Sequence, residues 1–360
     1  MDWLAASADA YPDLPAVITA DRTVSYAELD RAADGVASII TSSGLFGSHA
    51  VAFWGDRSIE TIAAVWGIPR AGITAVAVDP DEAPASSIQT TRAAGVRGLW
   101  ITPAGGFDRL LDRGTEASAT SRPGIPYIVS TSGTVGGPRE VLVTEGNLIA
   151  AVAGSQKRLG NSQADAWLCV LPLFHVAGLS VVWRQAESGG PVVLLDRFDP
   201  AAAAAALDDV TFASLVPVML RRILDTGRAW AGLTAVLVGG AAADGHLISA
   251  ARSAGIPALP TYGMTETCSQ IATHPPEAAV DGSVGLPLPG AEIRVMAQGV
   301  PVMGAEGLIE VRGAMLSPGY VGEPPRPNDG WFRTGDVGVL GDDGRLTVLG
   351  GGRFGDHQGR

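Results

Sequence analysis

Lysine is nearly absent from this chain of 360 residues. Of its 25 basic residues, Lys157 is the single lysine and the others are arginines. Chemistry that needs a lysine ammonium therefore has one candidate. Lys157 lies beside Arg158 near the end of a predicted helix, which is typical of a solvated residue that suits the helix dipole. Cysteine is also scarce: Cys169 and Cys268 show no metal-ligand spacing, which predicts free buried thiols.

The chain has neither an excess of positive charge nor a long apolar run. Its net charge is -12 and its isoelectric point about 4.8, which argue against a nucleic-acid or anionic-membrane surface. No apolar run is long enough to span a bilayer. The first residues also lack the pattern of a signal peptide, a charged segment followed by an apolar one. We expect a cytoplasmic protein with small-molecule partners and neither nucleic acid nor membrane as a partner. The sequence leaves open whether the protein forms a homo-oligomer.

What is present is a regular alternation of apolar segments. Short β-prone runs, such as 50–53, 73–78 and 235–238, are separated by segments of helical periodicity. This alternation predicts an α/β fold of two doubly wound, mostly parallel sheet lobes. After Pro275-Pro276, short runs separated by Gly and Asp-Gly turns predict a small antiparallel β lobe.

We therefore expect three segments along the chain. Residues 1–276 form the α/β body, residues 277–350 the small β lobe, and residues 351–360 an aberrant polar tail without periodicity. Within the body, residues 84–94 are predicted as a helix and residues 102–125 as a loop.

One stretch, Ser130-Thr-Ser-Gly-Thr-Val-Gly-Gly-Pro138, concentrates hydroxyl and glycine residues between the apolar runs 126–129 and 140–143. Glycines let a backbone approach a ligand closely, and hydroxyl and amide groups donate to phosphate oxygens. We interpret the stretch as a phosphate loop that connects two strands tightly, although it lacks the G-x-x-x-x-G-K-[ST] pattern. If this stretch is considered alone, the alternative is an ordinary glycine-serine turn. The candidate ligands are Ser130, Thr131, Ser132, Gly133 and Thr134.

Four later stretches carry further candidate groups. They supply a histidine between a strand and a helix, glycines on which a flat ring can lie, a turn with an aromatic face, a hydroxyl and a carboxylate, and a carboxylate suited to a ribose diol. In chain order these are His175; Gly239 and Gly240; Tyr262, Thr265 and Glu266; and Asp336.

Each of these groups has an ordinary alternative. His175 would cap the following helix or satisfy a buried carbonyl, Glu266 would be a solvated turn residue, and Asp336 would be a turn former. Only the joint order of the stretches favours a nucleotide site.

In that order the motifs resemble the adenylate-forming enzymes, the acyl-CoA synthetase and luciferase-like superfamily, over about residues 3–350. Within it, residues 171–179 and the sequence TYGMTETCSQI at 261–271 are most similar to the o-succinylbenzoate-CoA ligase family of menaquinone biosynthesis. The resemblance implies that a carboxylic acid is activated by ATP as an acyl-adenylate and transferred to CoA, with Mg²⁺ as cofactor. Ligases for another aryl or fatty acid, and a non-catalytic nucleotide-binding remnant, stay open as alternatives.

The same resemblance implies a role for each candidate residue. His175 would line the acyl site, Thr265 would touch the α-phosphate, and Glu266 would bind Mg²⁺. The nucleotide would be held by Ser130, Thr131, Ser132, Gly133 and Thr134 at the β- and γ-phosphates with Arg139 beside them, by Gly239, Gly240 and Tyr262 around adenine, and by Asp336 at the ribose hydroxyls.

The phosphate loop departs from the family pattern. The family ends this loop with Pro-Lys-Gly, whereas Arg139 and Glu140 stand here after the proline, and Val135 replaces a threonine. Arginine keeps the positive charge without the point-charge geometry, and Glu140 adds a negative charge, so we expect weakened polyphosphate binding.

The end of the chain also differs from the family pattern. Gly351 stands at the arginine position of the family's Gly-Arg hinge, and the sequence stops at Arg360, where the family continues into a small mobile domain with the adenylation lysine. Our expectation is a truncated or out-of-frame end, and a body that binds ATP or acyl-adenylate but makes thioester slowly or not detectably.

Overall fold

The computed structural model describes residues 2–45, 50–81, 96–101, 106–109, 124–131, 139–326 and 330–351. The helices in these ranges are α1 (Trp3–Ala10), α2 (Tyr26–Ser42), α3 (Ile59–Arg70), α4 (Glu145–Leu159), α5 (Val176–Ser188), α6 (Pro200–Ala206), α7 (Pro217–Leu224) and α8 (Gly245–Ser253), with a 3-10 turn at Thr265–Thr267.

The strands fall into three sheets. They are β1 (Pro15–Ile18), β2 (Thr23–Ser25), β3 (Ala50–Trp54), β4 (Thr74–Val78), β5 (Val96–Ile101), β6 (Gly106–Arg109), β7 (Tyr127–Ser130), β8 (Glu140–Val143), β9 (Trp167–Cys169), β10 (Val192–Leu194), β11 (Phe212–Leu215), β12 (Ala235–Val238), β13 (Ala258–Met264), β14 (Ser269–Thr273), β15 (Leu286–Pro287), β16 (Ala291–Ala297), β17 (Val300–Val302), β18 (Glu306–Gly313), β19 (Phe332–Leu340) and β20 (Leu346–Gly351).

The six-stranded sheet has the order β6-β5-β3-β4-β7-β8. Its four inner strands are parallel, and β6 and β8 are antiparallel edges. Because parallel strands end at a common edge, the carboxyl end of β7 at Ser130 lies on the same side as that of β4 at Val78. The predicted phosphate loop therefore begins at the carboxyl edge of this sheet.

The nine-stranded sheet has the order β15-β14-β13-β12-β11-β9-β10-β1-β2. Its six central strands, β13 to β1 in this order, are parallel. The third sheet, β17-β16-β18-β19-β20, is antiparallel throughout. Two mostly parallel sheets and one small antiparallel sheet confirm the predicted fold class.

Six of the eight described helices begin where a side chain accepts a hydrogen bond from one of their first free amides. Ser25 and Glu28 form a reciprocal capping box at α2, and Thr144 and Asn147 form another at α4. Asn147 also donates through Nδ2 to the carbonyl oxygens of residues 314 and 316. The cap of α4 thus joins the helix after the phosphate loop to the segment that follows β18.

The inner strands β3 and β4 are buried on both faces. In β3, Val51 and Phe53 enter the largest core cluster, whereas Ala50 and Ala52 enter a smaller one on the opposite face. The largest cluster draws side chains from all three sheets, so it is one continuous core. Both cysteines are buried and free, as predicted. Across the described ranges, no helix has the length and apolar character that a membrane crossing requires.

Two local predictions are wrong, and one lies outside the described residues. Gly106–Arg109 was expected within a loop but forms β6, because it pairs antiparallel with β5. Tyr262 was expected in a turn together with Glu266 but lies in β13, and the 3-10 turn begins three residues later. In both cases, pairing with a neighbouring strand outweighs the local glycine signal. The predicted helix at 84–94 lies outside the described residues.

The end of β3 lies directly against the loop that carries His175. A Cβ on Gly55 would come within 2.2 Å of the Phe174 amide nitrogen. Gly55 also accepts from the Leu173 amide and donates to the Val78 carbonyl, each at 3.0 Å. This close approach fixes the loop before α5 on the edge of the six-stranded sheet.

We expect Gly55→Ala to destabilise the fold by about 1–3 kcal/mol, because the added methyl group meets backbone atoms that cannot rotate away. The free energy of unfolding in urea measures the effect. Gly35→Ala is the matched control: Gly35 is exposed within α2, with open space around its Cβ position. That change should stabilise the protein by up to about 1 kcal/mol. Equal effects of the two changes would contradict the close approach.

Candidate active site

The foot of the phosphate loop is a paired hairpin. Ser130 and Glu140 are cross-strand neighbours in β7 and β8. One residue further on, the Thr131 amide donates to the Arg139 carbonyl at 2.9 Å, and the Arg139 amide donates to Thr131 Oγ1 at 3.0 Å. The tight strand-to-strand connection is confirmed up to these residues. Ser132, Gly133 and Thr134 lie outside the described residues.

The side chain of Arg139 lies over an aromatic ring instead of extending freely into solvent. Its guanidinium carbon is 3.3 Å from the centre of the Tyr320 ring, and Nη2 donates to Glu323 Oε1 at 2.6 Å. A cation over an aromatic face is attracted by the ring quadrupole. The positive charge is therefore held at the foot of the loop.

Tyr320 also contacts the candidate metal ligand. Its hydroxyl donates to Glu266 Oε1 at 2.6 Å. Burial, and then the hydrogen bond to Glu266, raise the pKa of Tyr320 to about 12. The phenol therefore keeps its proton and acts as a donor near neutral pH.

The 3-10 turn at Thr265–Thr267 is tightly constrained. Thr267 Oγ1 accepts from the Met264 amide at 2.9 Å and is within 2.7 Å of the Ser269 carbonyl. Cys268 and Ser269 adopt φ of 51° and 92°, which residues other than glycine rarely do. Thr265 and Glu266, in the turn before this strained return into β14, are half-buried.

A second tyrosine pairs with the second candidate carboxylate. Tyr262 donates from its hydroxyl to Asp336 Oδ2 at 2.6 Å, and only 8% of Tyr262 is exposed. Burial, and then Asp336, raise the pKa of Tyr262 well above its usual range. Asp336 is presented by a bulge in β19, where Gly335 has φ of 83° and Thr334 Oγ1 donates to the Ile309 carbonyl at 3.0 Å.

The two glycines lie at the end of the strand beside Tyr262. In the parallel register Val238 pairs with Pro260, and Gly239 packs beside Thr261. Gly240 follows with φ of 76°, so the chain leaves the strand there. A Cβ on Gly239 would come within 2.7 Å of Thr261 Cγ2. Gly239 is therefore required by its close packing against Thr261.

His175 is the N-cap of α5, but its side chain makes no capping hydrogen bond. The capping alternative is therefore wrong. Its ring lies 4.3 Å from that of Phe174. Desolvation lowers the pKa of His175, with Asp79 acting in the opposite direction, so the imidazole is mainly neutral at pH 7. Among the described residues, no hydrogen bond or ring contact joins His175 to either tyrosine-carboxylate pair.

Five of the candidates thus lie in one series of contacts and one adjoining pair. The series runs from Thr131 through Arg139 and Tyr320 to Glu266. The adjoining pair is Tyr262 and Asp336, and Tyr262 lies four residues before Glu266 in the sequence. His175 lies apart, at the carboxyl edge of the six-stranded sheet. The individual roles of these residues stay predictions.

Sequence analysis missed Tyr320, Glu323 and Arg326. Nη1 of Arg326 is buried without a hydrogen-bond partner, and its guanidinium carbon lies 3.9 Å from the centre of the Phe332 ring. The available signal was the Gly-Tyr pair at 319–320, in a segment between two strands that is rich in proline and glycine. Nothing in that segment shows by itself which distant residues it contacts.

The carboxylate of Glu266 suits a magnesium ion that is coordinated by both the protein and the phosphates of a nucleotide. Mg²⁺ is usually bound by one or two carboxylates together with substrate phosphates. Glu266 supplies such a carboxylate, with Oε1 oriented by Tyr320. Over the described part of the chain, no group of three or more His, Cys, Asp or Glu side chains could hold a metal ion alone.

A cavity of about 320 Å³ lies elsewhere, at the amino ends of β4 and β7. Trp66, Arg70, Tyr127 and Trp183 are among its lining residues. It lies at the opposite edge of the six-stranded sheet from the phosphate loop, so it is not part of the candidate site.

The fold and these motifs define a class of enzymes. Residues 4–122 and 108–321 match the family described as AMP-binding enzyme. The chain belongs to this family, which confirms the resemblance to the adenylate-forming enzymes.

Individual relatives are more specific. The chain is 32% identical over 375 residues to 2-succinylbenzoate–CoA ligase of Bacillus licheniformis, an alignment that covers 97% of this chain and 78% of the relative. It is similar to o-succinylbenzoate CoA synthetase of Bacillus subtilis in complex with its acyl-adenylate intermediate, with a TM-score of 0.87, 29% identity, and coverage of 97% and 77%. The structure of that enzyme with ATP and a magnesium ion gives a TM-score of 0.85, 29% identity, and coverage of 97% and 79%.

Glu140, which departs from the family pattern, is a buried carboxyl. Only 7% of it is exposed, and Oε1 has no hydrogen-bond partner. Desolvation raises the pKa of Glu140 from 4.5 to about 7. Its folded form therefore holds a proton between pH 4.5 and 7 that the unfolded chain has released.

Stability should therefore fall as the pH rises through this window. The contribution of Glu140 is fully present below pH 4.5 and is lost above its folded pKa of about 7, a difference of up to about 3 kcal/mol. Glu140→Gln should remove this part of the pH dependence, as measured by urea unfolding from pH 4.5 to 8. The exposed Glu306→Gln is the control and should keep the wild-type slope. A wild-type slope in Glu140→Gln would contradict the assignment.

Proposed function

We propose that this chain is an ATP-dependent acid-thiol ligase that activates 2-succinylbenzoate as its acyl-adenylate and transfers the acyl group to CoA. The observation that supports it most is the series of contacts from Thr131 through Arg139 and Tyr320 to Glu266, next to the Tyr262 and Asp336 pair. A polyanionic substrate needs donors, a cation and a metal ligand within one region. The names and ligands of the B. licheniformis and B. subtilis relatives support the choice of acid.

Under this proposal each region of the site meets one part of the nucleotide. Ser130 and Thr131, with Ser132, Gly133 and Thr134 in the loop, donate to the β- and γ-phosphates. Arg139 and Arg326 supply positive charge beside them. The backbone at Gly239 and Gly240, with the ring of Tyr262, flanks adenine, and Asp336 accepts from the ribose hydroxyls.

The reaction then has two steps. A carboxylate oxygen of the acid forms a bond to the α-phosphorus, and the bond from that phosphorus to the pyrophosphate oxygen breaks. The sulfur of CoA, after its thiol proton is lost to solvent, bonds to the acyl carbon, and AMP leaves with the electrons of the broken C–O bond. Thr265 would donate to the α-phosphate as charge develops there. Glu266 would hold magnesium, and the ion would disperse the charge of the triphosphate.

His175 would line the acyl site. A neutral imidazole at the edge of the six-stranded sheet offers one donor and one acceptor to the polar groups of a dicarboxylic acid. Its ring is packed on Phe174, whose backbone is held against Gly55. This support limits the positions that the ring can take.

The finer assignments belong to the same proposal. Residues 1–276 are the nucleotide and acyl-binding body, and β15 (Leu286–Pro287) adds a strand to its nine-stranded sheet. The rest of residues 277–350 is the β lobe that contributes Asp336. ATP, Mg²⁺ and CoA are the cofactor and co-substrates, and a cytoplasmic location suits an enzyme that consumes ATP and CoA. Because the charge of Arg139 is shared with Glu323, the β- and γ-phosphates are bound less tightly than by an unpaired lysine.

Calorimetry with acyl-sulfamoyl adenosines tests the proposal without requiring turnover. The analogue with a 2-succinylbenzoyl group should bind more tightly than AMP and than an analogue with a fatty acyl chain. Asp336→Asn should weaken binding of each ligand by about 10- to 100-fold, since a hydrogen bond to a charged acceptor contributes about 1.5–3 kcal/mol. The exposed Asp209→Asn is the matched control and should bind like the wild type.

Other outcomes have defined meanings. Tighter binding of the fatty acyl analogue would identify a ligase for another acid. No heat with any of the three ligands would contradict a nucleotide site altogether.

A further inference from the structure

Tyr320 lies between two groups that come from distant parts of the sequence. Its hydroxyl donates to Glu266, and its ring face carries the guanidinium of Arg139. Sequence analysis assigned neither contact. Tyr320 is thus the side chain through which the foot of the phosphate loop and the candidate magnesium ligand are in contact.

The backbone around Tyr320 fixes this position. Tyr320 forms an antiparallel bridge with Val141 in β8, and the Leu142 amide donates to the Gly319 carbonyl at 3.0 Å. On the other side, the Ser317 amide donates to the Glu266 carbonyl at 2.8 Å, and Ser317 Oγ donates to the Leu142 carbonyl at 2.6 Å. The segment 317–321 is therefore hydrogen-bonded both to the phosphate-loop hairpin and to the 3-10 turn.

We propose that Tyr320 is a positioning residue for the magnesium-nucleotide complex. Its hydroxyl sets the orientation of the Glu266 carboxylate, and its ring holds Arg139 beside the β- and γ-phosphates. This inference rests on the proposed function. It adds that the carboxylate and the cation are positioned together by one side chain before the nucleotide binds.

The physical reason is the geometry that a metal ligand requires. A carboxylate on a short turn can rotate about its side-chain bonds, and a hydrogen bond to one oxygen removes much of that freedom and leaves the other oxygen oriented. Tyr320 is suited to this because its hydroxyl already donates to Glu266 Oε1 at 2.6 Å and its backbone is bridged to Val141. The ring meanwhile limits the rotamers of Arg139, whose far end is held by Glu323.

Two substitutions separate the two contacts. Tyr320→Phe removes the hydroxyl but keeps the ring beneath Arg139. Tyr320→Leu removes both. Tyr11→Phe is the matched control, since Tyr11 packs beside Gly189 at the end of α1, in another part of the molecule.

Calorimetry on the full chain should compare AMP without metal, ATP with EDTA, and ATP with Mg²⁺. Tyr320→Phe should weaken binding of ATP with Mg²⁺ by about 10- to 100-fold, the usual effect of losing the partner of a metal ligand. Its binding of AMP and of metal-free ATP should stay within about twofold of the wild type, since neither needs Glu266 to be oriented. Tyr320→Leu should also weaken metal-free ATP, because Arg139 loses its support.

A double-mutant cycle distinguishes positioning from general loss of structure. In a Glu266→Gln background, Tyr320→Phe should have no further effect on ATP with Mg²⁺, because the carboxylate that it positions is gone. Additive effects of the two changes would overturn the proposal.

The remaining outcomes are also decisive. Wild-type affinity of Tyr320→Phe for ATP with Mg²⁺ would overturn this inference but leave the proposed function standing. Equal weakening of AMP and of ATP with Mg²⁺ would overturn it as well, since it would show a distorted site. If the wild-type chain bound no nucleotide at all, the proposed function would fail and this inference with it.

Discussion

Two hydrogen bonds from tyrosine hydroxyls to carboxylates tie the three sheets of this protein together at one place. Tyr262 in the nine-stranded sheet donates to Asp336 in the antiparallel sheet, and Tyr320, bridged to the six-stranded sheet, donates to Glu266 in the turn after β13. In each pair burial raises the pKa of the phenol, so it stays a donor. Hydrogen bonds to charged acceptors at short distance are among the stronger ones that proteins form. The position of the candidate site depends on these two contacts.

Charged groups of both signs lie close together in this region. A chain with a net charge of -12 that binds a polyphosphate brings anions together, and two carboxylates lie within the site itself. Arg139 and Arg326 provide positive charge close to Glu266, and each also lies over an aromatic ring. Membership of the AMP-binding enzyme family is consistent with such a site. The buried Glu140 beside the loop is a feature of this chain that the family pattern did not lead us to expect.

Two departures from expectation come from pairing with a strand nearby in the chain, and the third comes from contacts with distant residues. β6 formed where a loop was expected because β5 offered an unpaired edge, and Tyr262 joined a strand because it pairs with Ala272 of β14. Tyr320 was missed because an isolated Gly-Tyr pair has no periodicity. Its significance comes from Val141 and Glu266, which are far from it in the chain. Pairing partners that are distant in sequence leave no local pattern.

The sequence alone determined the alternation of helices and strands, the α/β class, the hairpin around the phosphate loop and the order of the nucleotide motifs. These depend on periodicity, on turn residues and on short motifs, which are local properties of the chain. Only the tertiary structure decided that Tyr262 donates to Asp336, that Tyr320 lies between Arg139 and Glu266, and that Glu140 is buried. These facts depend on which surfaces meet after the sheets pack, because hydrogen bonds and desolvation act over a few ångströms in space whatever the separation along the chain.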